Sequence, residues 1–223
     1  WVAFERFWRQ SPGVRIDLLA KLPRAPSMVR FLPLLRIVGD EAGVHGTWRS
    51  MCVELLGACR GSAEVEELLM GWLDAELTRL RDELGERDHL ERIEDVEFLG
   101  YARAFAGLGQ GGGEAAGLGR AGLERLYELT LELGTGAFET GKATLAALAD
   151  RPGGLERLDA DYLHPDGPGG RGKGWLRHRV EAALLCLSRS DDPAVHDRAV
   201  TVLLADYGQL AWDLRTRVIR AFG

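Results

Sequence analysis

The sequence predicts an all-α fold, an irregular α-solenoid or bundle of about ten helices packed as antiparallel hairpins. Three observations carry that expectation. Apolar residues recur at i, i+3, i+4 and i+7 along most of the chain, and no run reads as a buried strand of a parallel sheet. In the last fifty residues Arg179, Arg198 and Arg217 stand nineteen apart, each opening a similar apolar phrase. The joints between these phrases are short and built from Asp, Pro and Gly, so neighbouring helices must pack antiparallel.

In chain order, residues 1–22 read as two short helices broken at Ser11-Pro12. Trp1, Phe4, Phe7 and Trp8 gather on the first as an aromatic cluster. Residues 27–38 form a helix that Pro33 should kink or divide, because proline has no N–H and clashes with the preceding turn. Thr47 is placed to cap a helix through Cys59. Residues 62–84 make a long amphipathic helix: Val65, Leu68, Leu69, Trp72, Leu73, Leu77, Leu80 and Leu84 hold one face, and Glu64, Glu66, Glu67, Asp74 and Glu76 the other. Gly85 ends it, and residues 86–106 return as its hairpin partner.

Residues 107–119 contain seven glycines, the best candidate for a linker or loop. The expected organisation is therefore 1–106 as an N-terminal helical region with an acidic hairpin at 62–106, then 107–119 as linker or loop. A C-terminal helical-repeat region follows at 120–223, and the whole is also compatible with one continuous domain. Helices are expected at 120–133 and 137–150. Residues 152–174, rich in Gly and Pro, read as irregular apart from one turn at Leu155–Leu158.

From Trp175 onward three helices follow. Leu176, Val180, Ala183, Leu184 and Leu187 share one face of the first. Val195, Ala199, Val202, Leu203 and Tyr207 share one face of the second, and Leu210, Leu214, Val218 and Phe222 one face of the third. Asp192 is placed to cap the second helix with Pro193 at its first position, and Gly208 to end it in a left-handed conformation. Two such helices make a unit of about forty residues. The run Asp191-Asp192-Pro193-Ala194-Val195 with Arg198-Ala199 resembles the start of a HEAT-type repeat, over residues 175–222. That resemblance implies a stacked helical scaffold for binding and no chemistry.

Net charge is −6, which argues against a general nucleic-acid binder. Residues 1–61 carry nine Arg/Lys against five Asp/Glu, and residues 62–97 four against thirteen. All bases but Lys21, Lys142 and Lys173 are arginine, a bias expected of a GC-rich bacterial genome. No apolar run is long enough for a membrane span. Three cysteines, an odd and sparse set, fit a reducing cytoplasm and the role of small core residues.

The inventory for chemistry is thin. Gly167-Pro-Gly-Gly-Arg-Gly-Lys173-Gly174 has the spacing of a phosphate-binding loop up to its lysine, but Gly174 stands where Ser or Thr should hold magnesium. What remains is an anion contact by Arg171 and Lys173. Asp191-Asp192 and Asp197 have the spacing of a diphosphate-binding acidic motif, yet Pro193 places the pair at a helix start, where capping explains it. Glu86 and His89 have di-iron spacing but occur once, and that site needs the motif twice. No catalytic residue, metal site or cofactor is predicted, and the balance is against an enzyme.

The expected function is a non-catalytic scaffold or regulatory module that binds another protein or another part of a longer chain. The partner-binding candidates are Trp1, Phe4 and Trp8 in the aromatic cluster and Glu64, Glu67 and Asp74 on the acidic face. The alternative follows from a second resemblance, in length and helical content, to bacterial alkylpurine DNA glycosylases built from HEAT-like repeats. On that resemblance Trp175, Arg179 and Trp212 would line a groove. Those enzymes use a basic groove and this chain is acidic, so protein binding ranks first.

Overall fold

The computed structural model describes residues 17, 19–41, 46–85, 95–110, 117–170 and 173–222. Among them every regular element is helical and there is no strand, as the periodicity predicts. No helix among these residues is long and apolar enough to cross a membrane. The chain divides into two compact units, the described parts of Trp1–Arg81 with Arg103–Gly122, and of Asp82–Ala102 with Leu123–Gly223.

In the first unit a 3-10 turn, Pro26–Phe31, leads into α1 (Leu32–Glu41). Pro33 divides the predicted helix as expected. It sits in the first turn of α1, where its missing N–H leaves no bond unmade. Helices α2 (Gly46–Leu56) and α3 (Ala63–Gly85) follow. The apolar face of α3 is buried as read from the sequence, with Val65, Leu69 and Leu73 fully enclosed. Two polar ties fix the three helices. Trp72 Nε1 on α3 donates to Asp40 Oδ1 on α1 at 2.8 Å. Arg49 on α2 donates from Nε to the Gly39 carbonyl at 3.0 Å and from Nη1 to Glu76 on α3. Of the described glycine-rich stretch, the Gly119 amide donates to Glu66 Oε1 at 2.7 Å. Helix α4 (Asp95–Leu108) belongs to both units.

The second unit holds most of α5 (Arg120–Leu133), α6 (Phe138–Ala149), the short α7 (Gly154–Leu158), α8 (Leu176–Arg189), α9 (Pro193–Asp206) and α10 (Trp212–Phe222). The stretch read as irregular is more ordered than expected: α7 runs straight into a π-turn, Asp159–Leu163. Several of its described glycines serve close packing. A Cβ on Gly167 would collide with the Ala160 and Asp161 carbonyls, and one on Gly169 with the Tyr162 ring.

Helix α8 is the hub of this unit. It packs on α6, α7, the π-turn, α9 and α10, so alternate helices α6, α8 and α10 lie side by side, with α9 against the π-turn. Val180, Ala182, Ala183 and Cys186 are buried in its core face. The joint to α9 forms as predicted, with Asp192 Oδ1 accepting from the Ala194 amide at 2.8 Å. Gly208 does not take the left-handed conformation expected of it. The backbone instead tightens into a 3-10 turn, Tyr207–Gln209, closed by the Leu210 amide donating to the Tyr207 carbonyl.

The three arginines of the nineteen-residue register share one role. Among the described residues the buried carboxylates are Asp159, Glu181 and Asp206. Each meets one of those arginines as a two-pronged pair. Arg179 on α8 holds Asp206 at the end of α9, at 2.6 and 2.8 Å. Arg198 on α9 holds Asp159 on the π-turn, at 2.8 and 2.5 Å. Arg217 on α10 holds Glu181 on α8, with Nη2 to Oε2 at 2.6 Å. The planar guanidinium offers two parallel N–H groups to two carboxylate oxygens, which an ammonium cannot do.

The Arg179–Asp206 pair is the most enclosed, with side chains 11% and 9% exposed. Arg179→Met strands Asp206 and is expected to destabilise the protein by about 3 kcal/mol, whereas adding Asp206→Leu recovers most of the loss. Urea unfolding followed by circular dichroism measures both, and a single variant as stable as the parent would contradict the assignment.

Candidate functional site

The structure distributes the sequence-predicted candidates unevenly. Trp1, Phe4 and Trp8 lie outside the described residues, as does Arg171. The Lys173 backbone opens a 3-10 turn, Lys173–Trp175, and its side chain is likewise not described. The described glycines of the loop before it turn their amides inward. Gly167 N donates to the His164 carbonyl at 3.1 Å, Gly169 N to Asp161 at 2.9 Å and Gly170 N to Gly167 at 3.0 Å. Gly170 returns its own carbonyl to Arg179 Nη1 at 3.1 Å. Amides engaged in this way cannot wrap a phosphate, which needs them converging outward.

Helix α3 separates its acidic residues by role. Glu66 and Glu76 accept internal bonds, from Gly119 N and from Arg49 and Arg79. Glu64, Glu67 and Asp74 remain exposed. Glu67 also borders a cleft of about 400 Å³ in the first unit, lined by Arg36, Asp40, Arg49, Leu68, Gly71 and Trp72 among others. Two arginines face two carboxylates there, so the lining has no net charge to select an anion or a cation. Gly71 presents bare backbone to open space, while a Cβ on Gly39 would strike the Trp72 ring.

The cysteines are packing residues. Cys52, Cys59 and Cys186 are all free and buried. Burial raises all three thiols, Cys52 and Cys186 to about 12, with nearby Asp159 adding to the effect at Cys186. A protonated thiol is neither nucleophile nor metal ligand. Among the described residues no three His, Cys, Asp or Glu side chains gather as a metal site. A tyrosine cluster in the second unit is also structural. Tyr127 donates to Asp161 Oδ2 at 2.6 Å, Arg157 covers its ring at 4.4 Å, and the Tyr162 ring meets it edge-on at 6.1 Å. Burial, followed by the bond to Asp161, holds the Tyr127 hydroxyl protonated far above its ordinary range.

Of the aromatic and arginine residues that resemblance placed along a groove, two are half-buried and held by internal bonds. Trp175 Nε1 donates to the Leu131 carbonyl at 3.1 Å, and Arg179 is held by Asp206 and Gly170. Trp212 is the exception. On α10, Leu214 and Val218 face inward, but Trp212, Ile219 and Phe222 are 80%, 56% and 50% exposed. Phe222 thus departs from the buried stripe expected of it. Positions 212, 219 and 222 are spaced seven and three apart, so they form a second apolar stripe beside the buried one. No family model, curated protein or solved structure matches the chain.

Sequence reasoning missed this stripe because it assigned α10 one apolar face. The usable signal was that the apolar arc is wider than an eleven-residue helix at the edge of a unit needs to anchor it.

Two outcomes check the roles assigned here. Native protein is expected to leave all three thiols unreactive toward a disulfide reagent at neutral pH, and urea to expose them; fast native labelling would contradict the burial. Because the thiols are raised in the folded chain, their contribution is fully present below about pH 9 and lost as the pH rises from 9 toward 12. Separately, Gly71→Ala should stabilise α3 by roughly 0.5–1 kcal/mol, and Gly39→Ala should destabilise by about 1–3 kcal/mol. Equal melting shifts for the two would refute that packing.

Proposed function

We propose that the protein is a non-catalytic helical scaffold of HEAT-like type that binds another protein, or another part of a longer chain, in the cytoplasm. The observation that carries this reading is the open apolar stripe of α10. A Trp, an Ile and a Phe standing together in water lose solvation free energy that docking would recover, and Trp is the residue most enriched in binding hot spots. The stacking of α6, α8 and α10 favours a scaffold, since it leaves the outer side of α10 open. The exposed Glu64, Glu67 and Asp74 add an acidic face suited to orienting a basic partner surface.

The test is site-specific photo-crosslinking in cells that express the protein. A benzophenone side chain at position 212 or 219 is expected to give a protein adduct, and one at the exposed Thr201 on α9 is not. No adduct at 212 and 219, or equal adducts at all three positions, would overturn the reading.

A further inference from the structure

We propose that the α10 stripe takes an amphipathic helix of another protein that carries a carboxylate on its apolar face, set to meet Arg215. The inference rests on the reading of α10 as the docking surface and names the chemistry of its partner.

Arg215 stands inside the stripe. Trp212, Arg215, Ile219 and Phe222 follow one another at steps of three, four and three, so they share one face of α10. Those steps are the spacing of a helix-packing seam, here with one charged position. Asp213 and Arg220 lie more than about 100° round the helix from the middle of that face. Arg217 is held by Glu181. The charge of the seam is therefore the single cation Arg215.

The Arg215 guanidinium is already partly enclosed. Nη2 donates to the Gly208 carbonyl at 2.8 Å, and the group lies over the Tyr207 ring at 5.6 Å. Nε is buried without an acceptor among the described residues. These contacts fix the group in place but bring no negative charge to it. Covering Trp212, Ile219 and Phe222 takes away much of its remaining water, and a charge desolvated without a counter-charge is destabilising by several kcal/mol. A wholly apolar cover would lose at Arg215 what it gains on the three apolar side chains. A cover that sets a carboxylate against Arg215 keeps both gains, because arginine–carboxylate bonds are among the strongest in proteins. A second copy of α10 brings another arginine to the seam and no acid, which selects against it. The steps of three and four match a second helix, whose own apolar residues recur at the same intervals.

The area sets the strength. With large aromatics burying 150–250 Å² each, the three apolar side chains offer on the order of 400 Å². A standard interface buries about 800 Å² per partner, so affinity should be modest and the ion pair should set much of the selectivity.

Fluorescence anisotropy of labelled synthetic peptides against the 223-residue chain tests this. The peptides are helices with Leu at three seam positions and Glu, Gln or Lys at the fourth, each seam position being tried in turn. The expected result is saturable binding below about 1 mM, with the best Glu peptide about tenfold tighter than its Gln and Lys counterparts. Arg215→Glu should reverse the order, so that a Lys peptide binds best. Loss of the tie to Gly208 cannot produce that reversal. The comparison of Glu with Gln peptides needs no variant and stands even where Arg215→Glu unfolds the chain. No binding up to about 1 mM, equal binding of Glu and Gln peptides, or an unchanged order in folded Arg215→Glu would overturn the proposal. The photo-crosslink at position 219 separates this failure from failure of the wider reading. An adduct with another protein that Arg215→Glu abolishes supports the proposal. An adduct indifferent to Arg215→Glu keeps α10 as a docking surface but removes the carboxylate, and no adduct removes both.

Discussion

A carboxylate taken out of water is destabilising by several kcal/mol unless donors of matching geometry meet it. Among its described residues the second unit contains three, and its helix arrangement follows from satisfying them. Glu181 on α8 requires α10 to lie where Arg217 can reach it. Asp206 requires the end of α9 to close on Arg179 of α8, and Asp159 requires the π-turn to lie under Arg198 of α9. The three demands cannot be met by sliding one helix, because each pair joins a different couple of elements. Apolar burial along α8 supplies the drive to collapse; the pairs select one register from those that burial alone would tolerate.

That constraint also shapes the surface. Arg217 and the buried Leu214 and Val218 fix which side of α10 faces inward. The Trp212, Ile219 and Phe222 stripe is thereby turned to solvent, and the exposed apolar face is a consequence of the same interaction that secures the helix. The Gly170 carbonyl accepts from Nη1 of Arg179, which ties the glycine loop to the core. Close packing accounts for Gly169 and Gly170, where a Cβ would meet the Tyr162 ring and the His164 carbonyl. In the first unit Arg49 plays a comparable part, joining α2 to both α1 and α3.

Helical periodicity was legible because burial on one face leaves a repeating trace in the residues themselves. It located α3, α5, α6, α8 and α9 closely, and the Asp192–Pro193 start of α9 was visible from local chemistry alone. The nineteen-residue spacing of Arg179, Arg198 and Arg217 was legible as a pattern but not as a function, since its meaning lies in Asp206, Asp159 and Glu181, which no sequence spacing links to it. The π-turn at Asp159–Leu163 was hidden for the same reason: it is held by tertiary contacts with Gly167 and Gly169, not by its own propensity. Gly208 was misread because a glycine after a helix permits a left-handed cap without requiring one. At the candidate surface, Trp212 was named only through the glycosylase resemblance, and only burial separates Ile219 and Phe222 from the anchoring Leu214 and Val218.

Helix α8, pinned by its arginine and carboxylate, is expected to be the last element of its unit to open. Native-state hydrogen exchange under increasing urea measures this residue by residue. The amides of Val180 to Cys186 are expected to exchange only through global unfolding of the unit, with α10 opening earlier. Exchange of the α8 amides through a small, local opening, while α9 or α10 stays protected, would contradict it.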